Sequence, residues 1–119
     1  MIAVRHDVAV VTPSHDLVAE SGDLLREALA VAVHDHRHVI VDMSAAPTID
    51  SSGLSVLVRA HNDAKARGGT LSLAAPSRYV VTVLHTMKLH PVFPLYPDVD
   101  AALLVRQLEA ETGAPAGPV

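Results

Sequence analysis

The chain has no cysteine and no tryptophan, and its aromatic residues are limited to Tyr79, Phe93 and Tyr96. Without cysteine there is no disulfide framework, no thiolate zinc site and no cysteine nucleophile, so folding rests on packing alone. With so few aromatic rings, the stacking platforms that single-stranded nucleic acid requires are missing. Positive charge is scarce as well: nine Lys and Arg stand against thirteen Asp and Glu, a formal net charge of −4, and no basic run concentrates them. A phosphate-backbone interface therefore lacks its electrostatic footprint. No apolar stretch approaches the ~18 residues of a membrane span. The N-terminal segment meets charge at Arg5, before a signal-peptide core can form. These absences lead us to expect a soluble, cytoplasmic protein with neither nucleic acid nor membrane as a partner.

What the chain does have is aliphatic. Half of its 119 residues are hydrophobic, carried mostly by Val, Leu and Ala, enough for the core of one domain of about 100–150 residues. Ile2 to Val4 and Val8 to Thr12 read as short strands around Arg5-His6-Asp7, closed by Pro13. From Leu17, apolar residues at Leu24, Leu25, Ala28, Leu29 and Ala32 recur at helical spacing behind Asp16 as a cap, with Ser21-Gly22 weakening the first turns. After His34-Asp35-His36-Arg37, the unbroken run Val39-Ile40-Val41 suits a central strand buried on both faces.

The pattern then predicts a second helix from Ser51 to Arg67, with Leu54, Leu57, Val58, His61 and Ala64 inward and Gly68-Gly69 as its stop. Thr70 to Ala74 reads as a strand. Ser77 caps a third helix that turns Val80, Val83, Leu84 and Met87 to one face, and Val92-Phe93-Pro94-Leu95 is a short apolar piece. Asp98 caps a fourth helix from Val99 to about Glu109. Residues 1–110 are expected to form one domain, and 111–119, rich in Gly and Pro, a disordered tail. Strands alternating with helices make this an α/β fold, a mixed, mostly parallel sheet with about four helices and an N-terminal antiparallel edge hairpin.

Sheets of this kind carry sites beyond the C-terminal ends of their strands. The loop leaving the central strand delivers Asp50-Ser51-Ser52-Gly53-Leu54 to the start of the second helix. Unpaired amides and the positive end of the macrodipole favour anions there. A phosphate on Ser51 would carry about −1.5 to −2 charges and accept helix N–H groups without unfolding the helix. Asp50 adds a second negative charge, Gly53 leaves room for a partner's backbone or nucleotide, and Leu54 anchors the first turn. On local pattern alone, Asp-Ser-Ser-Gly is equally an ordinary helix cap.

Other constellations carry less. His34, His36 and His38 alternate, so a strand would place all three on one side as a metal site; they straddle a loop-to-strand boundary, where a solvated connector is the plainer reading. His61, on the inner stripe, reads as a half-buried, hydrogen-bonded histidine. A serine hydrolase lacks the Gly-x-Ser-x-Gly elbow, because Ile49 holds the first glycine's place. A receiver-like phosphoacceptor at Asp42 needs an acidic pair after the first strand to hold magnesium, and Arg5-His6-Asp7 offers one acid. We expect no catalytic residue, no metal and no cofactor.

The blocks Val39-Ile40-Val41-Asp42-Met43, Ile49-Asp50-Ser51-Ser52-Gly53-Leu54 and Ala66-Arg67-Gly68-Gly69-Thr70-Leu71 together resemble the STAS domain, especially the stand-alone bacterial anti-sigma factor antagonists. The likeness spans roughly residues 1–110. It implies a partner switch in which the unphosphorylated chain binds an anti-sigma factor of the histidine-kinase-like ATPase fold and so frees a sigma factor. By the same resemblance that anti-sigma factor is a serine kinase, which phosphorylates Ser51 and breaks the complex, and a serine/threonine phosphatase restores binding. The implied partner-binding set is Asp16, Asp50, Ser51, Ser52, Gly53 and Leu54. Two departures stand out. The family's Gly-Glu/Asp-Leu/Ile-Asp loop after the second strand reads Pro13-Ser14-His15-Asp16, keeping only Asp16, and its Thr-Gly-Leu after the third helix reads Met87-Lys88-Leu89. STAS modules also serve anion transporters, stress-signalling complexes and lipid-transport assemblies, and these are the alternative settings.

Overall fold

A computed structural model describes residues 2–5, 7–13 and 22–112. The β-branched segments form strands β1 (Ile2–Arg5), β2 (Val8–Val11), β3 (His38–Asp42) and β4 (Thr70–Ala74), with a two-residue β5 (Leu95–Tyr96). Between and after them lie helices α1 (Gly22–Asp35), α2 (Ser51–Ala66), α3 (Arg78–Thr86) and α4 (Val99–Thr112). None of the described helices is long and apolar enough to cross a membrane.

The strands lie side by side in chain order, β1-β2-β3-β4-β5. β1 pairs antiparallel with β2, Ile2 opposite Val11 and Arg5 opposite Val8, through a turn at Asp7, one of the few residue types that tolerates its φ of 65°. The other pairings are parallel. A right-handed crossover that always steps to the next strand in the same direction returns on the same face each time. Accordingly α1, α2 and α3 all contribute to one core layer, with Leu25, Leu29, Leu57, Ala64, Val80 and Leu84 packed on Ala9, Val11, Val39, Val41, Leu71 and Leu73. The opposite sheet face presents Val8, Val10, Ile40 and Ala74, which α4 covers with Ala102 and Leu103. β3 is thus the central strand, with Val39, Ile40 and Val41 fully buried. The order also excludes the receiver-like alternative, because doubly wound flavodoxin-type sheets run 2-1-3-4-5 with helices on both sides of a switch point.

Several sequence expectations shift in detail. On α2 the buried stripe is Gly53, Leu54, Leu57, Ala60 and Ala64, while Val58 and His61 are half-buried at its flank. Met87, expected inward on α3, is 58% exposed, because the helix ends at Thr86 and Met87 is its C-cap. Within the short apolar piece Val92 to Leu95, Phe93 is buried in the loop before β5, and Leu95 opens that strand. Helix α4 continues to Thr112, past the expected end near Glu109, so residues 111 and 112 are helix and not tail. Residues 113–119 of the expected tail, and the helical start expected at Leu17, lie outside the described residues.

Two glycines end α2. Gly68 takes φ +75°, the left-handed geometry that stops a helix, and Gly69 returns its N–H to the Ala64 carbonyl at 2.8 Å. Gly69 also lies so close to the Arg37 carbonyl that a Cβ would stand 1.9 Å from its oxygen. The neighbouring Thr70 N–H donates to that same carbonyl at 3.0 Å. This close approach is how the end of α2 is locked onto the start of β3.

Candidate functional site

The site is built where the parallel strands end. β3 stops at Asp42, whose carboxylate accepts the Ser44 N–H at 3.0 Å, turning the chain out of the sheet. The Met43 N–H donates to the Ala74 carbonyl at 2.8 Å and so holds the start of the loop beside the end of β4. Met43, Ala46 and Ile49 are buried, which anchors the loop to the core at three points while Ser44, Ala45, Pro47 and Thr48 stay exposed.

α2 then begins on Asp50. This residue has extended backbone angles, φ −109° and ψ −177°, and its carboxylate accepts the Gly53 N–H at 2.9 Å, while its carbonyl accepts the Leu54 N–H at 2.9 Å. Asp50 is therefore the N-cap, and the local-cap reading of Asp-Ser-Ser-Gly holds for it. Ser51 and Ser52 occupy the first two helical positions and are both exposed, whereas Gly53 and Leu54 are buried. The Ser51 carbonyl accepts the Ser55 hydroxyl at 2.8 Å, an ordinary helix back-bond.

The next loop is fastened to this one. Ser77 caps α3 by accepting the Val80 N–H at 3.1 Å, and its hydroxyl donates to the Pro47 carbonyl at 2.6 Å. One side chain thereby sets the start of α3 relative to the loop that carries Ser51. Just before it, Ala75 holds φ +53° with its N–H on the Tyr96 carbonyl at 2.9 Å, a left-handed conformation that costs an alanine about 1–2 kcal/mol. Strain of this kind at a strand end is sustained only where its surroundings over-determine it.

Asp50, Ser51, Ser52, Gly53 and Leu54 are thus brought to one helix start, and Asp16 lies outside the described residues. Ser77 and its bond to Pro47 were missed in the sequence. The capping preference of Ser77 was legible, but the second contact spans 30 positions and depends on the sheet order.

The histidines take separate roles. His34 is in the last turn of α1, His36 in the connection, and His38 on β3, so they do not share a strand face. His38 Nδ1 lies 2.9 Å from the Thr70 hydroxyl and 3.3 Å from Nη1 of Arg106 on α4. His61 is half-buried as expected, but its buried Nδ1 has no hydrogen-bond partner among the described residues. Its ring meets Phe93 edge-on at 5.5 Å, and burial first, then the nearby Lys65 charge, pushes its pKa below the ordinary value. Among the described residues, no group of three or more His, Cys, Asp or Glu could hold a metal ion.

Comparison with known proteins agrees with this architecture. The STAS domain family model matches residues 1–102. A protein of Thermotoga maritima described as an anti-sigma factor antagonist superposes with a TM-score of 0.82 at 22% identity, over 87% of this chain and 91% of the other. An anti-sigma factor antagonist from Mycobacterium paratuberculosis gives a TM-score of 0.79 at 25% identity, over 87% and 89%. The Bacillus cell fate determinant SpoIIAA in its phosphorylated form gives 0.68 at 17% identity, over 91% and 97%.

Proposed function

This chain belongs to the STAS domain family, and from that premise we propose that it is an anti-sigma factor antagonist switched by phosphorylation of Ser51. The observation that carries the reading is the exposed first-turn position of Ser51 on α2, beyond the end of the central strand and beside the N-cap Asp50. A hydroxyl there is open to a kinase, and its phosphate stands in the positive field of a helix start, so modification changes the surface and not the fold. The two similar proteins described as anti-sigma factor antagonists, and the cell fate determinant SpoIIAA seen in a phosphorylated form, support the assignment.

In this reading the chain is a substrate and a binding module, and not a catalyst. Unphosphorylated, it presents Ser51, Ser52 and the backbone at Gly53 to an anti-sigma factor of the histidine-kinase-like ATPase fold, with Asp16 as a further contact, and the sigma factor is released in the cytoplasm. That partner's kinase activity places a dianion on Ser51. A buried dianion without compensating donors repels the interface, and a loss of about 2.7 kcal/mol already weakens binding a hundredfold. A serine/threonine phosphatase resets the cycle.

Incubation with a cognate ATPase of this class and ATP is expected to add one phosphate, at Ser51, read by peptide mass spectrometry. Phosphate found only at other residues would end the proposal. Ser51→Ala is expected to bind the partner persistently in calorimetry and Ser51→Asp weakly, and equal affinities would remove the charge mechanism.

A further inference from the structure

The loop that delivers Ser51 is held from outside as well as by its own buried residues. At its start the Met43 N–H donates to the Ala74 carbonyl at 2.8 Å, and further on the Pro47 carbonyl accepts the Ser77 hydroxyl at 2.6 Å. Both holding groups belong to one corner, Ala74-Ala75-Pro76-Ser77, where β4 turns into α3. Pro47 and Thr48 are exposed between the buried Ala46 and Ile49, so burial does not fix this stretch.

The corner is itself rigid. Ala75, at φ +53°, has its N–H on the Tyr96 carbonyl, and the ring of Pro76 fixes the next backbone angle. Ser77 follows in extended conformation, φ −67° and ψ 163°, so its short side chain is delivered to Pro47 by the backbone.

A hydroxyl has one proton to donate and lone pairs to accept with. Ser77 uses both: its oxygen accepts the Val80 N–H at 3.1 Å, which caps α3, and its proton goes to Pro47. A helix cap needs only an acceptor, and Asp or Asn would serve equally. The donated bond is therefore the part of Ser77 that capping leaves unexplained, and it ends four residues before Ser51.

We propose that Ser77 is a positioning residue for Ser51: its donated bond holds the loop ahead of α2 in the arrangement that a kinase site meets. This rests on the reading of Ser51 as the phosphorylated residue. Three variants of the full chain separate the two bonds. Ser77→Ala loses both, Ser77→Asp keeps the cap and has no proton to give, and Ser77→Thr keeps both. Amide hydrogen exchange at Ala46 and Gly53, whose N–H groups are bonded to the Met43 carbonyl and the Asp50 carboxylate, reads the order of the loop. Exchange there should be about fivefold faster in Ser77→Ala and in Ser77→Asp alike, the factor that loss of one typical hydrogen bond gives, and restored in Ser77→Thr. Thermal melts should rank the two differently, with Ser77→Ala below Ser77→Asp, because only the alanine loses the cap.

With an ATPase of the histidine-kinase-like fold that phosphorylates the parent chain, KM for Ser77→Ala and Ser77→Asp should rise about twofold, as a halved positioned fraction requires, while kcat stays unchanged. Exchange in Ser77→Asp equal to that of the parent, failure of Ser77→Thr to restore it, or a fall in kcat at unchanged KM would each overturn the proposal. A parent chain phosphorylated only at other residues would end the reading of Ser51, and the exchange of the three variants would still decide whether Ser77 positions this loop.

Discussion

Replacing Asp50 separates the two things its carboxylate does. It accepts the Gly53 N–H at 2.9 Å, and it places a negative charge one residue from Ser51. Asp50→Ala removes both, and loss of an N-cap acceptor costs about 1 kcal/mol, within roughly 0.5–2. With an unfolding entropy of about 2.1 cal/mol/K per residue, this chain should lose about 4 °C in Tm for that 1 kcal/mol. Asp50→Asn keeps an acceptor and loses only the charge, so its cost should be the dipole contribution alone, about 0.3–1 kcal/mol. On protein phosphorylated at Ser51 the sign should invert. A dianion about 6 Å from a carboxylate in a watery dielectric is repelled by about 1.4 kcal/mol, and removing the Asp50 charge relieves it. Thermal melts and urea titrations of the parent chain, Asp50→Asn and Asp50→Ala, with and without phosphate, read these differences at unchanged m-value. If Asp50→Ala melts within about 1 °C of the parent, or if Asp50→Asn is as damaging as Asp50→Ala in the unphosphorylated form, the cap described here does not operate as argued.

Three further outcomes follow from the geometry. Gly69→Ala should destabilise by about 1–3 kcal/mol in urea unfolding, because a Cβ placed 1.9 Å from the Arg37 carbonyl oxygen must displace backbone held by its own hydrogen bonds; an unchanged midpoint would contradict the close approach. Lys88→Gly should stabilise by about 0.5–1 kcal/mol, since Lys88 holds φ 58° where glycine is unstrained, and a lower Tm would refute this. His61, with a pKa lowered by burial and Lys65, binds protons more readily unfolded than folded. Stability should therefore be complete above 6.5, the ordinary value, and fall as pH drops below it, less so in His61→Leu; identical pH profiles for the two would remove His61 as the cause.

Much of this fold was legible because its signals are local. Val39-Ile40-Val41 identified the central strand, Ser77 and Asp98 cap the helices expected of them, and Gly68-Gly69 ends α2. The start of α2 was legible for the same reason, although the sequence reading left Asp50 open as cap or as charge, and it is both. Errors arose where periodicity was counted past a boundary or by residue size. Met87 continues the apolar spacing of α3, but the helix has already ended one residue earlier. Val58 looked more inward than Ala60, yet the small Ala60 is the one buried in the core, with Val58 packed at its edge. Tertiary contacts were invisible. Nothing in the pattern says that Ser77 reaches Pro47 or that Ala75 is left-handed.

The sequential order of the strands has a bearing on how the chain is made. Each strand pairs with the one synthesised just before it: Val8 with His38, then His38 with Thr70, then Leu73 with Leu95. No strand is inserted between two that are already joined, so each loop closed is roughly thirty residues or shorter, and the sheet can grow by accretion from the hairpin outward as polypeptide emerges from the ribosome. The face served by α1, α2 and α3 fills in step with that growth. The opposite face waits for α4, the last helix, and until Ala102 and Leu103 arrive, Val8, Val10 and Ile40 have nothing from α4 to cover them. A chain stalled or truncated before α4 would carry α1, α2 and α3 on a sheet with one bare side, and aggregation through that side is its expected failure.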